Sequence, residues 1–243
     1  MYFGKSVLAV IPARSGSKGL KNKNLLSLNG ISLVGWPINA AINSGICDEI
    51  VCSTDSVEIA EVAKSFGANT PFIRPRDLAQ DETSTSDVIL HAINYYEING
   101  KNYDYILLLE PTSPLTTSGD ISSGFEILNK NSDVAESLVS VTENISGHPD
   151  FTFNLEETSN LLNSINSEKW LHKRRQDINK CYYIEGTIYI SKVETFKLKK
   201  TFIHDRTVGM VVPKWKSFEI DDELDMTIID GIMKSGRYGN YGK

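Results

Sequence analysis

The chain has 243 residues, 40% of them apolar, which is enough for a sizeable core, and no compositional break divides it. A net charge of −6 and an isoelectric point near 5.3 argue against a general nucleic-acid or anionic-membrane surface. The three cysteines lack CxxC spacing, the start is too quickly interrupted for a signal peptide, and no apolar run matches a bilayer span, so a single soluble, cytoplasmic domain over 1–243 is expected.

In chain order, 6–12 (SVLAVIP) is a short β-branched run of the kind buried on both faces of a parallel sheet. The loop after it, IPARSGSKGLKNKN (11–24), holds Arg14, Lys18, Lys21 and Lys23, two glycines and no acid. A helix is expected over 33–45, its spacing interrupted by Pro37 and its end marked by Gly45. A strand at 48–55 and an amphipathic helix capped by Ser56 and stopped by Gly67 follow. Further on come a helix at 85–100, a strand at 103–111, a helix near 118–131 and a strand at 135–143. This alternation predicts an α/β, doubly wound, mostly parallel sheet of Rossmann-like form, with ligands beyond the carboxyl ends of its strands.

The rhythm fails over 146–184, which is polar, asparagine-rich and irregular and reads as an insertion. Strands at 186–191 and 207–213 and a last helix near 222–235 complete the pattern, and the Gly-rich end is expected to fray. His91 reads as packing and His148 as a loop residue, and the four histidines form no ligand cluster.

The charge is distributed unevenly. No carboxylate precedes Asp48, so the first 47 residues carry +5 and the remainder −11. Cations in the first loop, with Gly16 and Gly19 allowing close backbone approach and Ser15 and Ser17 adding donors, suit a compact polyanion such as a nucleoside triphosphate. The loop has neither the Walker pattern nor GxGxxG. A solvated basic turn is the alternative. Near the other end FEIDDELDM places Glu219 and Asp221 two apart, on one side if extended, as carboxylates sharing a divalent metal must be. Mg²⁺ favours one or two carboxylates plus phosphate oxygens. Asp222 and Asp225 read as cap and first-turn acid of the last helix.

IPARSGSKGLKNKN resembles the signature of the CMP-sialic acid synthetases, the acylneuraminate cytidylyltransferase family. FIRPRDLAQD (72–81), LLLEPTSPL (107–115), RRQD (174–177), GTIYI (186–190) and FEIDDELDM (218–226) match further motifs in order. The resemblance implies a nucleotidyltransferase that joins CMP from CTP to a nonulosonic acid and releases pyrophosphate. It implies that Arg14, Ser17, Lys18, Lys23 and Asn24 hold the triphosphate, with Arg14 and Lys23 nearest the reacting phosphates. Arg74 and Thr85 would lie on the base side, and Mg²⁺ or another divalent cation on Glu219 and Asp221.

Glu110, Arg175, Glu185, Tyr189 and Phe202 match positions near the sugar. Segment 146–184 matches a dimerisation element, implying a homodimer. Glu110 and Glu185 stand where many family members have amides, and an ionised carboxylate only accepts hydrogen bonds. The pair points to a legionaminic- or pseudaminic-type sugar over N-acetylneuraminate; a local Lys or Arg partner is the alternative. Rival readings are a glycosyltransferase of related fold, a non-catalytic nucleotide-binding protein, and a uridylyl- or guanylyltransferase.

Overall fold

A computed structural model describes residues 2–17, 19–165, 174 and 178–239. Its main sheet has six strands in the order β10-β6-β9-β5-β1-β4, made from β1 (Val7–Pro12), β4 (Glu49–Ser53), β5 (Tyr105–Leu108), β6 (Ser137–Glu143), β9 (Tyr182–Lys192) and β10 (Thr207–Val211). Strand β9 runs antiparallel to both neighbours, while the β1–β4, β1–β5 and β6–β10 pairs are parallel. Two short antiparallel pairs stand apart from it, β2 (Ser27–Leu28) with β3 (Ile31–Ser32) and β7 (Phe153–Leu155) with β8 (Leu162–Ser164).

The continuous apolar character of β1 has a direct cause. Val7, Ala9 and Ile11 point to one face, where they meet helices α1 (Gly35–Ser44), α2 (Val57–Ser65) and α4 (Ser118–Lys130). Leu8 and Val10 point to the other, against α3 (Thr85–Ile98) and α5 (Val193–Lys199). All five side chains are fully buried. From β1 the chain passes through α1 to β4, then crosses back through α3 on the opposite face to β5. The connections leaving β1 and β5 therefore diverge and open a crevice at their carboxyl ends.

A third apolar cluster closes one wall of that crevice. Leu28, Leu33, Trp36, Leu115 and Ile220 pack with Ile229 and Met233 of α6 (Glu223–Lys234). This cluster carries the 218–222 segment to the loop that follows β1.

The predicted elements are present with boundaries moved by a few residues. Pro37 does not break α1, because it lies in the first turn, where backbone N–H groups have no intrahelical partner. Gly45 ends that helix at φ 64°, Ser56 caps α2 through Ile59 N, and Asp222 with Asp225 forms a reciprocal cap on α6. Segment 146–184 contains the β7–β8 pair and the beginning of β9. Helix α5 and the reversed direction of β9 have no counterpart in the sequence reading. Among the described residues no helix is long and apolar enough to cross a membrane.

Candidate active site

The crevice is a cleft of about 530 Å³. Pro12, Arg14, Ser17, Gly19, Lys23 and Asn24 approach it from the first loop, and Glu110, Pro111 and Thr112 from the end of β5. Arg74, Thr85 and Val88 supply another wall, and Asp221 closes it. Cations near the amino terminus thus face a carboxylate nearly two hundred positions later.

Lys23 makes that junction. It opens a short 3₁₀ turn, Lys23–Leu25, entered through Asn22 in the left-handed region at φ 54°. Its ammonium donates to the Ile220 carbonyl at 2.8 Å and to Asp221 Oδ1 at 3.1 Å. Asn24 is buried and its Nδ2 donates to the Arg14 carbonyl at 2.9 Å, so its amide shapes the loop that carries Arg14. Gly19 lies so close to the Asp221 carbonyl that a β-carbon there would collide with it. Arg14 Nη1 donates to Asp81 Oδ1 at 2.6 Å.

Arg74 is 4% exposed, and its Nε and Nη2 are buried without a hydrogen-bond partner. Burial lowers its pKa, offset by the charge of Asp55. Buried donors without a partner are costly, and the Arg74 side chain that carries them lines the cleft. Thr85 is the first residue of α3, but the cap is Ser84, whose side chain accepts from Asp87 N. Its hydroxyl is therefore not the cap, and the residue lines the cleft.

Ile220 is fully buried and its N–H donates to the Thr112 carbonyl at 2.8 Å, which pins Glu219 and Asp221 on either side of it. The Asp221 side chain is well exposed and Glu219 is half-buried. Burial raises the Glu219 pKa, and the charges of Asp221 and Glu185 add to it. The Glu110 carboxyl is pushed up to about 7, chiefly by burial and then by the charge of Glu219, with Lys23 working against both. These carboxylates repel one another, and Lys23 only partly offsets the repulsion. Among the described residues no three His, Cys, Asp or Glu side chains converge to hold a metal unaided.

The remaining expected residues lie elsewhere. Glu185 is 2% exposed, with Oε2 accepting from the Thr187 hydroxyl at 2.5 Å, and does not line the cleft. No Lys or Arg side chain is bonded to Glu185 or Glu110 among the contacts of the described residues. Tyr189 of β9 packs its ring on Phe202 at 5.5 Å, and Phe202 packs on Phe196 at 4.7 Å; neither Tyr189 nor Phe202 lines the cleft. Burial raises the Tyr189 pKa, followed by the charges of Glu110, Glu219 and Glu185. Lys18 and Arg175 fall outside the described residues.

Sequence reasoning passed over Leu78, Gln80, Asp81 and Thr83, which also line the cleft. All four belong to or adjoin the FIRPRDLAQD stretch that was read for Arg74 alone. An acid seven residues from the arginine expected on the base side is the available signal for Asp81.

A family model described as Cytidylyltransferase matches residues 8–217. The CMP-N,N'-diacetyllegionaminic acid synthase of Legionella pneumophila is 32% identical over 235 residues, covering 94% of this chain and 96% of that protein. The pseudaminic acid cytidylyltransferase of Campylobacter jejuni is 31% identical, covering 90% and 92%. The N-acylneuraminate cytidylyltransferase of Streptococcus agalactiae is 32% identical over 92% of this chain but only 52% of its own length. In fold, the chain is similar to a CMP:2-keto-3-deoxy-manno-octonic acid synthetase solved with CTP, with a TM-score of 0.66, 15% identity and coverage of 95% and 99%. A matching family model over most of the chain, together with relatives above 30% identity along nearly its full length, places it: the chain belongs to the cytidylyltransferase family, as a nucleotidyltransferase of the CMP-sialic acid synthetase type.

Proposed function

We propose that this protein transfers CMP from CTP to the anomeric hydroxyl of a nonulosonic acid of legionaminic or pseudaminic type and releases pyrophosphate, acting as a cytoplasmic homodimer with Mg²⁺ or another divalent cation. The observation that carries the reading is that Arg14, Lys23, Arg74, Glu110 and Asp221 share one cleft. Cations for a triphosphate, open guanidinium donors and a carboxylate for a metal are brought within reach of one ligand. The names of the legionaminic and pseudaminic relatives support the sugar class. Three unpaired cysteines suit a reducing compartment.

Nucleotidyl transfer depends mainly on alignment and on stabilising charge on phosphate oxygens. In this reading the sugar hydroxyl forms a bond to the α-phosphorus in line with the bond to pyrophosphate that breaks. Arg14 and Lys23 offset the charge on the reacting and leaving phosphates, and Arg74 offers its free donors on the base side. Asp221 and Glu219 fit a hard divalent cation, being oxygen donors whose mutual repulsion a cation relieves, with phosphate oxygens completing the coordination. Bound there, the ion withdraws charge from the α-phosphate. Glu110 is the carboxylate that faces the cleft as an acceptor for the sugar.

For the dimer, the support lies from the end of β6 to the first residues of β9. Leu155, Leu161, Leu162, Tyr182, Tyr183 and Ile184 are exposed there, an apolar set of the kind that marks association surfaces. Sedimentation velocity should then give twice the 27.0 kDa chain mass, and a single 27.0 kDa species would refute the dimer.

The reaction is tested by pairing the four nucleoside triphosphates with a panel of keto-acid sugars and reading pyrophosphate. CTP alone should support turnover, fastest with legionaminic or pseudaminic acid. A preference for N-acetylneuraminate would overturn the sugar assignment. CTP binding with no product from any sugar would favour the non-catalytic alternative, and consumption of a sugar nucleotide without CTP would favour the glycosyltransferase.

Gly19 offers a second test, since its value lies in close approach to the Asp221 backbone. Gly19→Ala should reduce kcat/KM for CTP by about tenfold or more through displacement of Asp221, with little change in Tm. Unchanged kinetics would show that the approach is dispensable.

Glu110 gives a pH prediction. Its carboxyl ionises near 4.5 when unfolded and at about 7 when folded. Between those values folding takes up a proton, so stability falls as pH rises from 4.5 through 7. Glu110→Gln removes this loss. In metal-free protein its Tm should exceed that of the parent by several degrees at pH 8 and by little at pH 4.5, measured by scanning calorimetry. Parallel pH profiles for the two proteins would contradict a buried, repelled carboxyl at this position.

A further inference from the structure

The segment that ends β4 holds both halves of the nucleotide wall. The Ser53 carbonyl accepts from Ala13 N at 2.9 Å, extending the β1–β4 ladder beyond Pro12, and the Thr54 carbonyl accepts from Arg74 N at 2.7 Å. Asp55 follows. Its Oδ1 accepts from Ser15 N at 2.8 Å and its Oδ2 from the Ser15 hydroxyl at 2.7 Å. Three successive residues thus hold positions 13, 74 and 15.

The carboxylate of Asp55 is not used by the helix that follows. The cap of α2 is Ser56, whose side chain accepts from Ile59 N. Both Asp55 oxygens close on a single residue, between Arg14 and the two glycines of the loop. Partial burial works against ionisation, but the bonds from the Ser15 hydroxyl and amide outweigh it and hold the Asp55 pKa below the usual carboxylate range. The charge of Arg74 acts in the same direction. In return the Asp55 charge supports the buried Arg74 guanidinium, while Arg74 Nε and Nη2 stay unbonded at the cleft.

We infer that Asp55 is a positioning residue for the nucleotide, fixing the phosphate loop through its two bonds to Ser15 while its charge balances Arg74 without a hydrogen bond to the guanidinium. The inference rests on the reading of this cleft as a nucleotide site, and it concerns a residue outside the cleft lining. A direct Asp55–Arg74 ion pair would spend the donors that the ligand needs. An apolar residue in place of Asp55 would leave the Ser15 amide unbonded and the buried cation without a counter-charge, a combination that costs more than either loss alone.

The test is calorimetric binding of CTP, without sugar, to the full chain carrying Asp55→Ala, Asp55→Asn or Ser15→Ala, with CMP as a second probe and Tm for each variant. A lost charge-assisted clasp should weaken CTP binding to Asp55→Ala by about tenfold or more. Asp55→Asn, which retains an acceptor for the Ser15 amide but no charge, should fall between Asp55→Ala and the parent. Ser15→Ala, which keeps the charge near Arg74, should weaken CTP while leaving CMP nearly unaffected, because its effect is confined to the phosphate loop. Parent-like CTP affinity in Asp55→Asn and Asp55→Ala would overturn the inference, as would losses that match the unfolded fraction with unaltered affinity in the folded remainder. Asp55→Asn carries the test if the alanine variant fails to fold. Because sugar is absent, these outcomes are independent of which sugar is used, and failure of the proposed reaction would appear instead as parent protein that binds CTP without releasing pyrophosphate.

Discussion

The cleft depends on where the ammonium of Lys23 sits. Its side chain is only 15% exposed, and a cation withdrawn from water is costly unless its donors are bonded. Two bonds meet that need, one to a backbone carbonyl at position 220 and one to the carboxylate of Asp221. The carbonyl bond does not titrate and cannot be drawn away by a metal. It keeps Lys23 beside Asp221 whether or not that carboxylate is occupied, and an ammonium has a third proton to offer an incoming phosphate. Behind this contact lies Ile220, whose burial is worth about 1.5–3 kcal/mol and fixes the peptide that supplies the carbonyl.

Charge in the cleft is separated by sign. Arg14, Lys23 and Arg74 lie toward β1 and α3, while Glu110 and Asp221 lie toward β5 and α6, with Glu219 outside the lining, against Gly186 and Ser113. Lys23 pairs with Asp221 but leaves Glu110 and Glu219 unrelieved, since burial and mutual repulsion raise both although Lys23 is close to each. A polyanion alone would answer the cations and aggravate the acids. A divalent cation alone would do the reverse. A nucleotide with its metal answers both, which is the physical content of the assignment. Arg14 is meanwhile paired with Asp81, but both partners are partly exposed, and such pairs contribute at most about 1 kcal/mol. A triphosphate can therefore recruit Arg14 at little cost.

Chemistry that depends on neighbours in sequence was legible. The buried strand leading into an acid-free basic loop, the paired acids around Ile220, and the caps at Ser56 and Asp222 all follow from local pattern. The order of helices and strands follows too, because apolar periodicity needs no partner to be seen. What escaped depends on contacts between distant segments. Strand β9 reads like any other strand; its direction shows only in its antiparallel pairing with β5 and β6, which lie far from it in sequence. Asp55 is an unremarkable acid after a strand until Ser15 is seen against it. Asp81 is invisible as a partner of Arg14 because 67 positions separate them.

The two glutamates that stand in for amides show how far a substitution can be interpreted without its surroundings. In sequence Glu110 and Glu185 form a matched pair, each exchanging a donor-acceptor group for a pure acceptor near a sugar. In the fold they differ. Glu185 turns to the hydroxyl of Thr187, two positions along the same strand, and Gly186 next to it packs against the Glu219 carboxylate and the Ser113 hydroxyl. Its exchange is therefore felt first as added negative charge near Glu219 and Asp221, where it contributes to the raised pKa of Glu219. Glu110 instead opens on the cleft. Any selectivity that the loss of an amide confers by direct contact with a sugar substituent falls to Glu110, while Glu185 acts through the electrostatics of Glu219.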